Sequence, residues 1–159
     1  MQQTEPIDKS TWGDGPWMTE PDRVDFQHAG YACLLLRSNR GGFFCGYVGL
    51  DRAHPYYGRP YNDCAVEVHG GLTYSEKCSG AICHVPAPGM PDDVWWLGFD
   101  LGHAGDLCPG LLARERAMGW PPIPPVTGFE EVYRTVGYAR RMTRQLAVKL
   151  RRMATPCLP

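Results

Sequence analysis

Apolar and polar positions sort this chain into strand-length runs and one stretch with a helical period. Tyr31-Ala32-Cys33-Leu34-Leu35-Leu36-Arg37 is almost continuously apolar, and after Ser38-Asn39-Arg40-Gly41-Gly42 the run Phe43-Phe44-Cys45-Gly46-Tyr47-Val48 returns. Two β-rich runs around an Asn/Gly turn predict a hairpin, and continuous apolarity predicts strands covered on both faces or central in a sheet. Cys64-Ala65-Val66-Glu67-Val68-His69 alternates instead, which puts Val66 and Val68 on one face and Glu67 and His69 on the other. Val94 to Phe99 predicts a further strand, with Trp95, Leu97 and Phe99 on one side and Trp96, Gly98 and Asp100 on the other. Tyr138, Met142, Leu146, Leu150 and Met153 recur at helical spacing behind Thr135, a residue suited to capping, so a helix is expected from Val136 to about Met153.

These elements predict an α+β fold, an antiparallel sheet packed against a long C-terminal helix in a single domain. Residues 1–22, punctuated by Asp14-Gly15-Pro16 and Glu20-Pro21-Asp22, read as a flexible lead-in pinned by Trp12 and Trp17, which leaves 23–155 as the globular domain. Pro121-Pro122-Ile123-Pro124-Pro125 reads as a rigid connector of polyproline II character. No internal repeat is visible.

Composition narrows the class without naming a function. The 159 residues are 43% apolar and 21% charged, an ordinary balance for one soluble globular domain. A net charge of -1 gives no global pull toward nucleic acid or a membrane surface. No apolar run approaches the roughly 20 residues that span a bilayer. Met1 to Pro6 lacks a basic segment followed by an apolar one, so cytoplasm is the expected compartment. The 19 glycines and 15 prolines, about a fifth of the chain, predict extensive loops.

Seven scattered cysteines, an odd number, argue against a disulfide framework and for reduced thiols, several of them buried. Cys78, Cys83 and His84 form the one cluster resembling zinc spacing, but the gap exceeds C-x-x-C and no second pair balances it. Seven of the 16 basic residues (Arg134, Arg140, Arg141, Arg144, Lys149, Arg151 and Arg152) lie in the terminal segment. They suit either a polyanion or the solvated face of an amphipathic helix, and near-neutrality of the whole favours the solvated face. Nucleic acid is therefore not the expected partner.

Candidate chemistry concentrates between Cys64 and Asp106. Glu67, His69, Asp100 and His103 are the candidate catalytic groups, with Asp106 close behind. Mixed histidine and carboxylate ligands are the usual set for a catalytic divalent metal, so His69, Asp100 and His103 are a candidate metal set. Without metal, His69 would transfer protons with Glu67 or Asp100 orienting it. The competing account makes these residues buried hydrogen-bonders that tie loops together. Gly70 and Gly71 allow a bend or close approach by a ligand. The loop Asp51 to Tyr61 brings His54, Tyr57 and Arg59, suited to stacking and to binding phosphate or carboxylate, or to packing on the core. Thr73, Tyr74, Trp96 and Asp106 complete the candidate ligand contacts. No G-x-S-x-G, Walker A, H-E-x-x-H or G-x-G-x-x-G sequence accompanies them.

Cys45-Gly46-Tyr47-Val48-Gly49, His54-Pro55 with Tyr57-Gly58, and Glu67-Val68-His69-Gly70-Gly71-Leu72-Thr73-Tyr74-Ser75 are followed by Trp95-Trp96, Gly98-Phe99-Asp100 and His103-Ala104-Gly105-Asp106. Over residues 26 to 150, with the helix led by Tyr133, this pattern resembles a family of small proteins encoded by tailed phages and prophages. The lead-in and the Gly/Pro-rich segment 108–128 depart from it. The resemblance implies a genomic setting rather than a reaction. By analogy with phage accessory proteins that counter host defence, it implies a small nucleotide-like ligand, hydrolysed or else sequestered without chemistry. Hydrolysis of a different substrate, a protein-binding inhibitor and homo-oligomerisation stay open.

Overall fold

The computed structural model describes residues 6–121 and 128–154. Five strands, β1 (Arg23–His28), β2 (Tyr31–Arg37), β3 (Phe44–Leu50), β4 (Tyr74–Lys77) and β5 (Trp95–Asp100), form one sheet in the order β1-β2-β3-β5-β4. Every neighbouring pair is antiparallel. Two helices follow, α1 (Pro109–Ala117) and α2 (Val136–Ala154). The fold is α+β, as the hydrophobic pattern predicts.

The hairpin forms where expected, and the central strands β2, β3 and β5 are covered on both faces. The sequence reading passes over β1. Its residues alternate, with Val24 and Phe26 half-buried, and it joins β2 through Ala29-Gly30. Both turn residues have positive φ, 52° and 83°, the backbone twist that suits a two-residue hairpin.

The Cys64–His69 segment is a correction. It is extended but belongs to no strand among the described residues; β4 begins only at Tyr74, past the glycine bend. Cys64 and Val66 are buried and Glu67 is exposed, so alternation here reflects an extended segment lying on the core. The N–H of Val66 bonds back to the Cys64 carbonyl at 2.9 Å, a tight turn that breaks any ladder.

Helix α2 crosses one face of the sheet. Its buried side is Ala139, Thr143, Leu146, Ala147 and Leu150. Tyr138 and Met142 sit at the flank and Met153 is exposed, so the buried face is rotated from the predicted stripe. Small residues set that rotation by letting helix and sheet approach closely. A side chain at Gly46 would overlap Thr143 and Phe99. The other face buries Leu34, Tyr47, Val94 and Trp96.

Residues 6–22 are tied down. Trp12 is 6% exposed and Lys9 pairs with Asp22 at 2.6 Å. The buried Arg37 guanidinium meets Asp22 at 2.7 Å, Glu20 at 3.1 Å and the Tyr133 hydroxyl at 2.6 Å. Glu20 also accepts the N–H of Val136 at 2.9 Å, and Thr135 Oγ1 accepts that of Tyr138 at 3.2 Å, so α2 starts on two side-chain oxygens. Helix α1 occupies part of the Gly/Pro-rich 108–128 segment, with Pro109 at its first turn. The polyproline stretch lies largely outside the described residues.

Cysteine usage is the second correction. Cys78 and Cys83 form a disulfide, whereas Cys33, Cys45, Cys64 and Cys108 are free. The odd total conceals a local pair. No described helix is long and apolar enough to cross a membrane.

Candidate functional site

The end of β5 and the turn after it supply the first half of the site. Asp100 accepts the Gly102 N–H and the Thr73 hydroxyl, both at 3.0 Å, which fixes the strand's exit. His103 then stands with Nδ1 3.5 Å from Asp100 Oδ1, and this nitrogen is buried without a hydrogen-bond partner among the described residues. Gly70, at φ +67°, lies against the His103 ring. A Cβ there would overlap the imidazole, so the bare backbone of the Gly-Gly bend makes room for it.

Asp106 closes the turn, and its side chain is 1% exposed. Oδ1 accepts Arg134 Nε–H at 2.7 Å. Oδ2 meets His69 Nε2 at 2.7 Å and accepts the His103 backbone N–H at 3.2 Å. Burial alone would raise the Asp106 carboxyl, but the bonds from Arg134, His69 and the His103 N–H outweigh it and hold it below the ordinary value. The group is therefore a carboxylate at neutral pH, and Nε2 of His69 carries the proton that faces it. The second nitrogen of His69, Nδ1, lies 2.9 Å from the Tyr138 hydroxyl. With Nε2 protonated, Nδ1 accepts and Tyr138 O–H donates. This proton arrangement is assigned from the bonding partners.

Asp106, His69 and Tyr138 thus form a continuous hydrogen-bonded relay. Two guanidinium groups flank its phenol, with Arg134 Cζ 4.9 Å and Arg141 Cζ 5.2 Å from the Tyr138 ring centre. Backbone bonds hold the halves together: Val132 N–H reaches the Gly105 carbonyl at 2.9 Å and Leu107 N–H the Val132 carbonyl at 3.0 Å. Those bonds deliver Arg134 to Asp106, and the cap at Thr135 fixes Tyr138 one turn into α2.

The expected metal set is brought together only in part. Ligand atoms of His69, His103 and Asp106 lie within 4.8 Å of one another, whereas Asp100 is held by Gly102 and Thr73. Two ligands of one tetrahedral metal, each about 2.1 Å from it, stand about 3.4 Å apart. His69 Nε2 and Asp106 Oδ2 are at 2.7 Å, the spacing of a hydrogen-bonded dyad. The arrangement suits acid-base work better than metal ligation.

No protein-family model, curated protein or solved structure matches the chain.

The other candidates are spread over the molecule. Glu67 is exposed and, among the described residues, engages through its carbonyl, which accepts Lys149 Nζ at 2.6 Å, so the orienting carboxylate for His69 is Asp106 rather than Glu67 or Asp100. His54 is a core tie: Nδ1 accepts the Tyr56 N–H at 3.0 Å and Nε2 reaches the Leu150 carbonyl at 2.9 Å. Tyr57 donates to Asp93 at 2.7 Å, and the Arg59 carbonyl accepts Trp95 Nε1–H at 3.0 Å. Tyr74 donates to Glu76 at 3.0 Å. Trp96 is fully buried on the opposite face of the sheet from α2. Gly71 continues the bend at φ +83°.

Tyr138 and Arg134 are the functional groups that sequence reasoning missed. Their spacing of four around a capping threonine was the available signal, but Tyr138 also fits the apolar stripe, and nothing local ties it to His69.

Proposed function

We propose that this is a phage-type accessory protein of the host cytoplasm that hydrolyses a small, phosphate-bearing nucleotide-like ligand at the Asp106–His69–Tyr138 relay. The observation that carries this reading is the engagement of both His69 nitrogens: any proton His69 takes up arrives through the Tyr138 hydroxyl. Tyr138 is therefore the activated oxygen, and Asp106 stabilises the imidazolium that forms.

In the first step Tyr138 Oη bonds to phosphorus while its proton passes to His69 Nδ1. The bond to the leaving oxygen breaks, and His103, whose side chain is 33% exposed, supplies that oxygen's proton. Water then attacks phosphorus and breaks its bond to Tyr138 Oη; one water proton passes to His103, the other stays on the phosphate, and His69 returns to Tyr138 the proton it took in the first step. Charge supports a phosphate. Helix α2 carries Arg140, Arg141, Arg144, Lys149, Arg151 and Arg152 and no carboxylate. An open cavity of about 580 Å³ is lined by His28, Arg140, Arg141, Arg144, Lys149 and Arg152. Arg141 belongs both to that cavity and to the flank of Tyr138.

A specific observation favours sequestration as the second reading. Asp106 already accepts three donors from within the protein, so the cluster is equally a strut joining three segments beside a basic surface. Incubation with a panel of nucleotides and cyclic dinucleotides, read by phosphorus NMR and by ligand recovery after heating, separates the two. Hydrolysis predicts turnover that Tyr138→Phe lowers by about 10²–10⁴-fold. Stoichiometric uptake with intact ligand recovered supports sequestration. Neither turnover nor uptake across the panel overturns the nucleotide assignment.

A further inference from the structure

Cys78, Cys83 and His84 lie on the sheet face away from α2, beyond the exposed edge strand β4. Ser79 and Ile82 bond to each other through both N–H groups at 3.0 Å, closing a hairpin that leaves Cys78 and Cys83 opposite one another. Sγ of each cysteine and a ring nitrogen of His84 fall within 4.8 Å of one another. Both ring nitrogens of His84 are buried, and neither has a hydrogen-bond partner among the described residues. Two partnerless nitrogens on one buried ring are costly and rare, and they leave an imidazole lone pair free beside two sulfurs. The ring itself is held by an edge contact with Trp96, centroids 5.2 Å apart.

We propose that the reduced protein binds one Zn²⁺ through Cys78, Cys83 and His84, and that the disulfide is the oxidised, metal-free form of this site.

A side-chain donor favours thiolate at this hairpin. Trp96 Nε1–H points at Cys78 Sγ from 3.4 Å, which stabilises sulfur that carries charge. Arg23, itself paired with Asp25 at 2.7 Å, donates to the carbonyls of Ala81 and Cys83, both at 2.7 Å, and so fixes the loop rather than charging it. The remaining described thiols do not compete. Burial pushes Cys33 and Cys45 up to about 12 and Cys108 to about 11, and raises Cys64.

The exchange balances. Two molecules of a small thiol open the Cys78–Cys83 bond and leave as their own disulfide, giving up two electrons; the two cysteine sulfurs gain those electrons and two protons. Zn²⁺ then displaces both thiol protons and accepts the His84 lone pair, with water in the fourth position. Two thiolates on one tetrahedral zinc stand about 3.8 Å apart, so the sulfurs separate on loading, within reach of side-chain rotation on the hairpin. The site needs nothing from the Asp106–His69–Tyr138 relay, and its test is independent of hydrolysis.

Cobalt is the probe, because a thiolate–Co²⁺ bond gives a charge-transfer band in the near ultraviolet that histidine and carboxylate ligation lacks. The experiment uses the full chain with Cys157→Ser, so that the remaining thiol outside the described residues is silent. Reduced protein is expected to take up one Co²⁺ with this band, Zn²⁺ to displace it, and the oxidised protein to show no band. Cys78→Ser and Cys83→Ser should each weaken binding at least a hundredfold, and His84→Ala at least tenfold with an altered visible spectrum. No band in the reduced protein, or a band undiminished in the cysteine variants, overturns the site. Unchanged affinity and spectrum in His84→Ala overturns the three-ligand assignment. Oxidised and reduced forms of this one Cys157→Ser chain are compared with no substitution at the site, so a site variant that misfolds cannot decide the result.

Discussion

Replacing Asp106 by asparagine keeps the shape of that side chain and removes its charge. The carboxylate accepts Arg134 on one oxygen and both His69 and the His103 N–H on the other. An amide offers one acceptor oxygen, and if it keeps His69 its NH₂ faces the Arg134 donor. Each charge-assisted bond contributes about 1.5–3 kcal/mol. The Arg134 side chain is 27% exposed and regains some water, which discounts its share. The expected loss at pH 7 is about 2–4 kcal/mol, or a fall in Tm on the order of 10 °C for a chain this long. The folded carboxyl lies below its unfolded value of 3.8, so its contribution is present above that pH and is lost as pH falls through the folded value. Urea unfolding of both proteins at pH 7 and near pH 3 is the assay, and the gap between them should narrow on acidification. A gap under about 0.5 kcal/mol at pH 7, or one that stays constant with pH, refutes the reasoning.

Gly70→Ala costs about 1–2 kcal/mol in backbone strain at its positive φ, and its methyl must displace the His103 ring; an unchanged His103 imidazole signal by NMR would contradict that contact. Arg37→Met leaves Glu20 without its buried cation, while Asp22 keeps Lys9, and should lose about 3 kcal/mol in chemical denaturation. The same variant should loosen Trp17, whose ring stands 5.0 Å from Tyr133, and a tryptophan emission spectrum identical to that of the parent would argue against this. Gly46→Ala pushes α2 off the sheet at Thr143 and should cost about 1–3 kcal/mol, read as a lowered Tm.

What was legible in the sequence followed from local periodicity. The Tyr31 hairpin, the alternation of Trp95 to Asp100 about β5 and the Thr135 cap of α2 each depend on neighbours within a few residues. β1 carried the same kind of signal in Val24 and Phe26, but polar Arg23, Asp25 and Gln27 made it easy to pass over. Cys64–His69 misled because extended chain lying on a core alternates whether or not a ladder forms, and β4 takes the edge of β5. The site was half legible. His69, His103 and Asp106 stood out by residue type, whereas the fourth member, Tyr138, lies on a helix 69 residues beyond His69. No spacing rule reaches across that separation. Tyr138 looked apolar because half of its ring is, and Asp106 could be seen as the orienting acid only once the turn after β5 was closed.

Glu20 touches Arg37, Tyr133 and the first N–H of α2, the last of these 116 positions away along the chain. The amino-terminal segment therefore works as a latch on the helix that presents Tyr138. A protease cutting just ahead of Arg23 would unfasten that helix end and strip Arg37 of both counter-ions in one event.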